Sequence, residues 1–99
     1  MIISGGENVY PAEVENVILS CPGVGDAAVI GIPSDKWGES PLAVVVKKDE
    51  ALTEKAVIDH CEGKLARFKM PVKVEFVSAI PRNPSGKILK RELRQQFVS

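Results

Sequence analysis

Ninety-nine residues with thirteen basic and thirteen acidic side chains, no net charge and 44% apolar content suit one small domain with a single modest core, but not a core and a deep substrate cavity together. An enzyme this short borrows part of its site, and the balanced charge excludes the overall electrostatic footprint of a nucleic-acid binder. The chain reads as having no basic leader ahead of an apolar core, and no run approaches the roughly twenty apolar residues of a membrane span, so a cytoplasmic, reducing setting is expected.

Residues 1–11 read as a short apolar strand, a glycine pair at Gly5 and Gly6, and a proline, Pro11, suited to the first position of a helix. Adjacent glycines let the backbone turn sharply and let another molecule approach it closely; the simpler alternative is a plain turn. Over residues 11–20, Val14, Val17, Ile18 and Cys21 fall at helical spacing, with Glu13 and Glu15 in the first turn where the helix dipole favours acids. Cys21, Pro22 and Gly23 end that helix. Residues 24–32 and 41–46 are apolar, β-branched runs consistent with strands covered on each face. The polar loop between them carries Trp37, open to two readings: an anchor for a partner surface, or a ring packed over its own domain's edge.

Thr53 is the expected N-cap of a helix over 53–65 whose buried stripe is Val57, Ile58, Cys61 and Leu65. Val72, Val74 and Phe76 alternate with Lys73 and Glu75, the pattern of a half-exposed strand. Leu89, Leu93 and Phe97 recur four apart and predict a last amphipathic helix, leaving Lys90, Arg91 and Arg94 for its other faces. These elements give an α+β fold: a small mixed sheet of about three main strands with helices packed on it. The strands near 27–32 and 41–47 should pair antiparallel through their loop, and the helix near 53–65 should bring the last strand in parallel to a neighbour. Cys21 and Cys61 are forty positions apart and His60 is the only histidine, so no metal-ligand spacing appears. Each cysteine lies in a helix-like apolar pattern and reads as a buried reduced thiol rather than half of a disulfide.

The stretch Pro81-Arg82-Asn83-Pro84-Ser85-Gly86-Lys87 sets two prolines, a serine and a glycine directly before one lysine. Such a loop can be ordered without regular hydrogen bonding, and it presents Lys87 at a loop-to-helix junction. A phosphate-binding P-loop needs a glycine five residues before the Gly-Lys pair and a hydroxyl after it; here Pro81 and Ile88 stand in those places. Two readings remain: a basic surface loop ahead of a terminal helix, or a positive charge delivered to an anionic transition state built elsewhere.

Ser4-Gly5-Gly6-Glu7-Asn8-Val9-Tyr10-Pro11-Ala12-Glu13-Val14-Glu15 and the loop that ends in Gly86-Lys87-Ile88, together with Gly31-Ile32-Pro33, Asp35, Trp37-Gly38-Glu39 and Phe68-Lys69-Met70-Pro71, closely resemble the C-terminal domain of the adenylate-forming, AMP-binding enzymes, specifically the acyl-CoA synthetases. The likeness covers essentially the whole chain. It implies that residues 1–99 are a C-terminal lid domain, with the large N-terminal domain and the hinge lying outside this chain. It further implies ATP and coenzyme A as co-substrates, a carboxylic acid as the group activated, and magnesium held by the N-terminal domain.

By the same resemblance, Lys87 is the lysine that meets carboxylate and α-phosphate oxygens in the first step, Arg82, Ser85 and Gly86 support its loop, and Gly5, Gly6 and Glu7 line the pantetheine tunnel in the second. No metal ligand is assigned within the chain. The partners implied are the protein's own N-terminal domain, the acid and CoA, with neither nucleic acid nor a membrane span. Two alternatives stand beside this one: the equivalent subdomain of a carrier-protein-loading adenylation enzyme, and a non-catalytic binding module. The residues that would shape an acyl pocket are not among these ninety-nine, so the identity of the acid is not encoded here.

Overall fold

The structure, a computed structural model, describes residues 2–35 and 38–98. Its centre is an antiparallel pair of long strands, β3 (Val24–Ser34) and β4 (Gly38–Lys47), in register from Val24 opposite Lys47 to Ser34 opposite Gly38. Both run through β-branched and small residues covered on each face, hence unbroken apolar runs in place of alternation. Ala27, Val29, Ala43 and Val45 face one layer, whereas Ala28, Ile30, Leu42 and Val44 face the other.

The first layer is built by α1 (Pro11–Leu19) and α2 (Glu54–Cys61), which bury Val14, Ile18, Val57 and Cys61 against the sheet. Pro11 occupies the start of α1, where its missing N–H costs nothing. Thr53 caps α2 by accepting the Ala56 N–H at 3.2 Å. The second layer is α3 (Lys90–Val98), whose Leu93 is fully buried and whose Phe97 packs at the margin. Between α2 and α3 the chain adds β5 (Lys73–Phe76) parallel to β4, from Leu42 opposite Lys73 to Val45 opposite Phe76. The α+β class, the antiparallel pair and the parallel last strand all agree with the sequence reading.

Two details differ from it. Among the described residues the sheet has five strands, because the chain start forms a hairpin, β1 (Ile2–Ser4) with β2 (Glu7–Val9), turned by Gly5 and Gly6 at φ 59° and 83°. Glycine is required there, since that left-handed backbone crowds any Cβ. Also, α2 stops at Cys61 rather than running to 65: Glu62 is already extended and Gly63 turns at φ 83°.

The strand order is β2-β1-β4-β3, with β5 also on β4. One side of β4 is therefore shared: among the described residues β1 meets it at Ser4 opposite Gly38, and β5 takes over at Leu42. The interval between them, at Ser40 and Pro41, is where β4 changes partner. Proline fits that interval because it has no N–H to leave unpaired.

Candidate functional site

The chemistry-bearing residues gather at opposite edges of the sheet. Along the free edge of β3 lies the loop that carries Lys87, closed on itself by an isolated antiparallel bridge between Arg82 and Ile88. Asn83 organises its interior: its Oδ1 accepts from Ser85 N at 3.1 Å, Ser85 Oγ at 2.8 Å and Lys87 N at 2.9 Å. Its own N–H donates to the Lys87 carbonyl at 2.9 Å. Gly86 takes φ 87° to complete the turn, and a Cβ there would meet nothing within 4 Å, so the backbone angle, not crowding, demands glycine.

Arg82 then fixes the loop to the sheet. Its Nη2 donates to both Asp26 oxygens, at 2.7 and 2.9 Å, and its Nη1 to the Gly86 carbonyl at 2.9 Å. The hydrogen bond to Asp26 pushes the guanidinium pKa further up, which keeps it charged. On the far side of Lys87, Lys90 pairs with Glu15 at 2.9 Å, and the same carboxylate oxygen accepts the Val29 N–H at 2.8 Å. Glu15 is thus not a first-turn charge for α1; it covers an exposed ladder donor on the β3 edge. Lys90, which the sequence leaves on an outer face of the last helix, is committed to this pair. The Lys87 ammonium, in contrast, meets no partner among the described residues.

On the other side of β4, an open groove of about 610 Å³ occupies the interval where that strand changes partner. Gly5 and Glu7 of the hairpin form one wall, Ser40 and Pro41 the floor, and Arg67 and Phe68 the opposite wall. Gly6 lies at the turn beside it rather than in its lining. Val72 is 57% exposed at the groove instead of packing beneath the sheet as its alternation with Lys73 implied. Its N–H is nevertheless held by the Pro41 carbonyl at 2.9 Å.

The sequence-predicted residues therefore fall into two groups: Arg82, Ser85, Gly86 and Lys87 in one loop, and Gly5, Gly6 and Glu7 at the distant hairpin. Sequence reasoning assigned no role to Asn83, Asp26, Glu39 or Phe68. An Asn ahead of Pro-Ser-Gly is itself a turn signal that could have singled out Asn83; Asp26, 56 positions from Arg82, has no local signal. Trp37 lies outside the described residues.

Among the described residues, the remaining polar and thiol clusters add no further centre. Ser20 Oγ lies 2.8 Å from His60 Nε2, but the hydroxyl donates to the Val17 carbonyl at 2.6 Å, so it receives the imidazole's hydrogen bond and caps a helix end instead of being activated. Cys21 and Cys61 are free and buried, and burial pushes both thiols up in pKa, away from the reactive thiolate. Among the described residues no group of three or more His, Cys, Asp or Glu is placed to hold a metal ion. No helix among them is long and apolar enough to cross a membrane.

Comparison with known proteins gives the same two loops a context. A long-chain-fatty-acid–CoA ligase of Mycobacterium tuberculosis is 57% identical over 97 residues, which is 98% of this chain and 19% of that protein. A 2-succinylbenzoate–CoA ligase of Bacillus cereus is 55% identical over 95 residues, 96% of this chain and 20% of that one. Among solved structures, a fatty acyl CoA synthetase of Mycobacterium tuberculosis matches with TM-score 0.93 at 57% identity, covering 98% of this chain and 19% of its own. Apo MatB from Rhodopseudomonas palustris matches with TM-score 0.91 at 48% identity, covering 96% and 19%. The chain spans about a fifth of the length of these relatives. The family described as the AMP-binding enzyme C-terminal domain matches residues 13–87, and the chain belongs to it.

Proposed function

We propose that residues 1–99 are the mobile C-terminal lid domain of an acyl-CoA synthetase, preceded by a large N-terminal domain that holds nucleotide and acid. The overall reaction is ATP, a carboxylic acid and CoA going to acyl-CoA, AMP and pyrophosphate, through an acyl-adenylate. The observation that carries this reading is the state of Lys87: its backbone N–H and carbonyl are both bonded inside the loop, while its ammonium is unengaged among the described residues. A charge so placed offsets the repulsion between a carboxylate and the α-phosphate it attacks, an effect that is large once water is excluded. Arg82 and Lys90 do not compete for this role, because Asp26 and Glu15 already neutralise them.

In the second step the groove beside Gly5 and Glu7 suits a long, narrow arm that passes against backbone. Phe68, Met70 and Val72 offer it apolar contact, and Arg67 supplies a cation at the rim. The long-chain-fatty-acid and 2-succinylbenzoate relatives are CoA ligases by name, which supports CoA over a carrier protein as the acceptor. Magnesium, when bound, neutralises phosphate charge, and the family resemblance assigns its ligands to the N-terminal domain. A rotating domain needs each loop to be rigid on its own, and each is tied to a different edge of one sheet.

The test is Lys87→Ala in the full-length ligase, assayed by pyrophosphate release without CoA. The rate should fall about a hundredfold or more, near 3 kcal/mol, as for the loss of one placed oxyanion donor. An unchanged rate would remove Lys87 from the reaction.

A further inference from the structure

Asp26 sits at a break in β3. Val24 pairs with Lys47 and Asp26 with Val46, so Gly25 is an extra residue on that strand, a bulge. Bulges re-aim the side chains that follow them, and here the residue delivered to the sheet edge is a carboxylate.

It receives Arg82 at both oxygens. Arg82 in turn donates Nη1 to the Gly86 carbonyl, the oxygen of the peptide unit whose nitrogen belongs to Lys87. The nitrogen end of that peptide is held by Asn83 Oδ1. One peptide plane is gripped at both ends, and it is the one that sets the direction of Lys87. Without Asp26 the guanidinium keeps only the loop carbonyl and loses its attachment to the sheet.

We propose that Asp26 is a positioning residue for the adenylation step: acting through Arg82, it fixes the Gly86–Lys87 peptide against β3, so that the lysine ammonium arrives at the reacting oxygens without a search for orientation. The proposal rests on the reading of Lys87 given above. Two donors of the guanidinium fix its orientation on the carboxylate, Nε reaching Asp26 Oδ2 at 3.3 Å and Nη2 reaching Oδ1 at 2.7 Å, and this bidentate geometry is what such a role requires, because a single donor would allow rotation. The side chains are 37% and 29% exposed, so the contribution to folding is small and that to geometry dominates. The second pair, Lys90 with Glu15, holds the start of α3 independently and keeps the loop from detaching when Asp26 is altered.

The experiment uses the full-length ligase in five forms: wild type, Asp26→Asn, Asp26→Glu, Lys87→Ala and the double variant of Asp26→Asn with Lys87→Ala. Adenylation is followed by pyrophosphate release, and thioester formation from supplied acyl-adenylate is measured separately. Asp26→Asn should lower kcat of adenylation about tenfold or more, a misplacement effect, with the KM values for ATP and acid unchanged and the thioester step intact. In the Lys87→Ala background the same substitution should cost nothing further, because it acts only through that lysine. Asp26→Glu, which keeps the carboxylate, should recover part of the lost rate. An equal loss in both backgrounds, a matching loss in the thioester step, or a normal rate for Asp26→Asn beside an impaired Lys87→Ala would each overturn the proposal. A normal rate for Lys87→Ala would instead overturn the reading of the lysine, and the proposal with it.

Discussion

The Glu39 carboxylate accepts the backbone N–H of Ile3 at 3.2 Å and so supplies a sheet-like bond where β1 and β4 share one paired position among the described residues. Gly31, two positions along β3 from Pro33, the residue paired with Glu39, leaves the room: a Cβ there would lie 2.8 Å from Glu39 Oε2 and 3.2 Å from Ile2 Cγ1. The hairpin with the Gly5-Gly6 turn is thus fixed to the sheet by a side chain that only a glycine neighbour admits.

Gly31→Ala should therefore push Glu39 off Ile3 and strain the buried Ile2. The carboxylate end is flexible and can move, so the expected loss is that of one hydrogen bond plus a small packing cost, about 1 to 2 kcal/mol. Urea unfolding of the 99-residue chain measures it. A midpoint equal to wild type would show that Glu39 contributes nothing to holding the hairpin.

Asn83→Ala removes an acceptor that serves three donors in the lysine loop. The loop is exposed, so global stability should change little, while adenylation by the full-length ligase should fall about tenfold as Lys87 loses its fixed backbone. Asn83→Asp keeps the acceptor and should retain the loop geometry. If alanine and aspartate behave alike in pyrophosphate release, the Asn83 oxygen is not what orders the loop.

Much of this was legible in sequence, for identifiable reasons. The long strands announced themselves through unbroken β-branched runs, and α1, α2 and α3 through spacing and caps, because burial on one face imposes those patterns. The second strand of the hairpin did not, since Glu7-Asn8-Val9 is too short and polar to carry a periodicity. Leu65 matched the α2 stripe but lies beyond Gly63, whose positive φ outweighs one apolar match. The lysine loop could be read as rigid from Pro, Gly and Ser, yet what holds it, Asp26 and Glu15, comes from strand and helix far away in the chain. Long-range ion pairs follow from topology, and no local pattern encodes them.

Cys21 and Cys61 give a pH dependence of definite sign. Burial raises both thiols above their ordinary value of 9.0, with Cys21 adding to the rise at Cys61. The folded chain then keeps protons that the unfolded chain has released, so the stability they contribute is complete below 9.0 and is lost as pH climbs from there toward the folded values. The urea midpoint of the 99-residue chain should fall as pH rises above 9.0, and less steeply in the Cys21→Ala, Cys61→Ala double variant. Equal slopes in the two proteins would exclude the thiols as the cause.

The 99-residue chain alone should catalyse no ATP-pyrophosphate exchange with any carboxylic acid. It places one free ammonium in the lysine loop and gathers no metal-binding acids among the described residues, and one charge without bound reactants has nothing to orient. Turnover by the purified chain would mean that a nucleotide site exists within it.

Because the lysine loop is tied to β3 and the groove opens on the far side of β4, the two half-reactions should fail separately. A leucine at Gly6 meets no resistance from the domain's own packing, since nothing lies within 4 Å of its Cβ position. The cost to folding is the backbone strain of φ 83°, about 1 to 2 kcal/mol. Its side chain would project from the turn whose neighbours Gly5 and Glu7 line the groove, and on the function proposed above it would obstruct an arm passing along the backbone. Gly6→Leu in the full-length ligase should therefore depress thioester formation from supplied acyl-adenylate and spare pyrophosphate release. Lys87→Ala should do the reverse, provided the lysine is turned away in the second step. Equal damage to both half-reactions by either substitution would mean that the domain does not alternate between two orientations, since one fixed arrangement would expose both loops to the same chemistry.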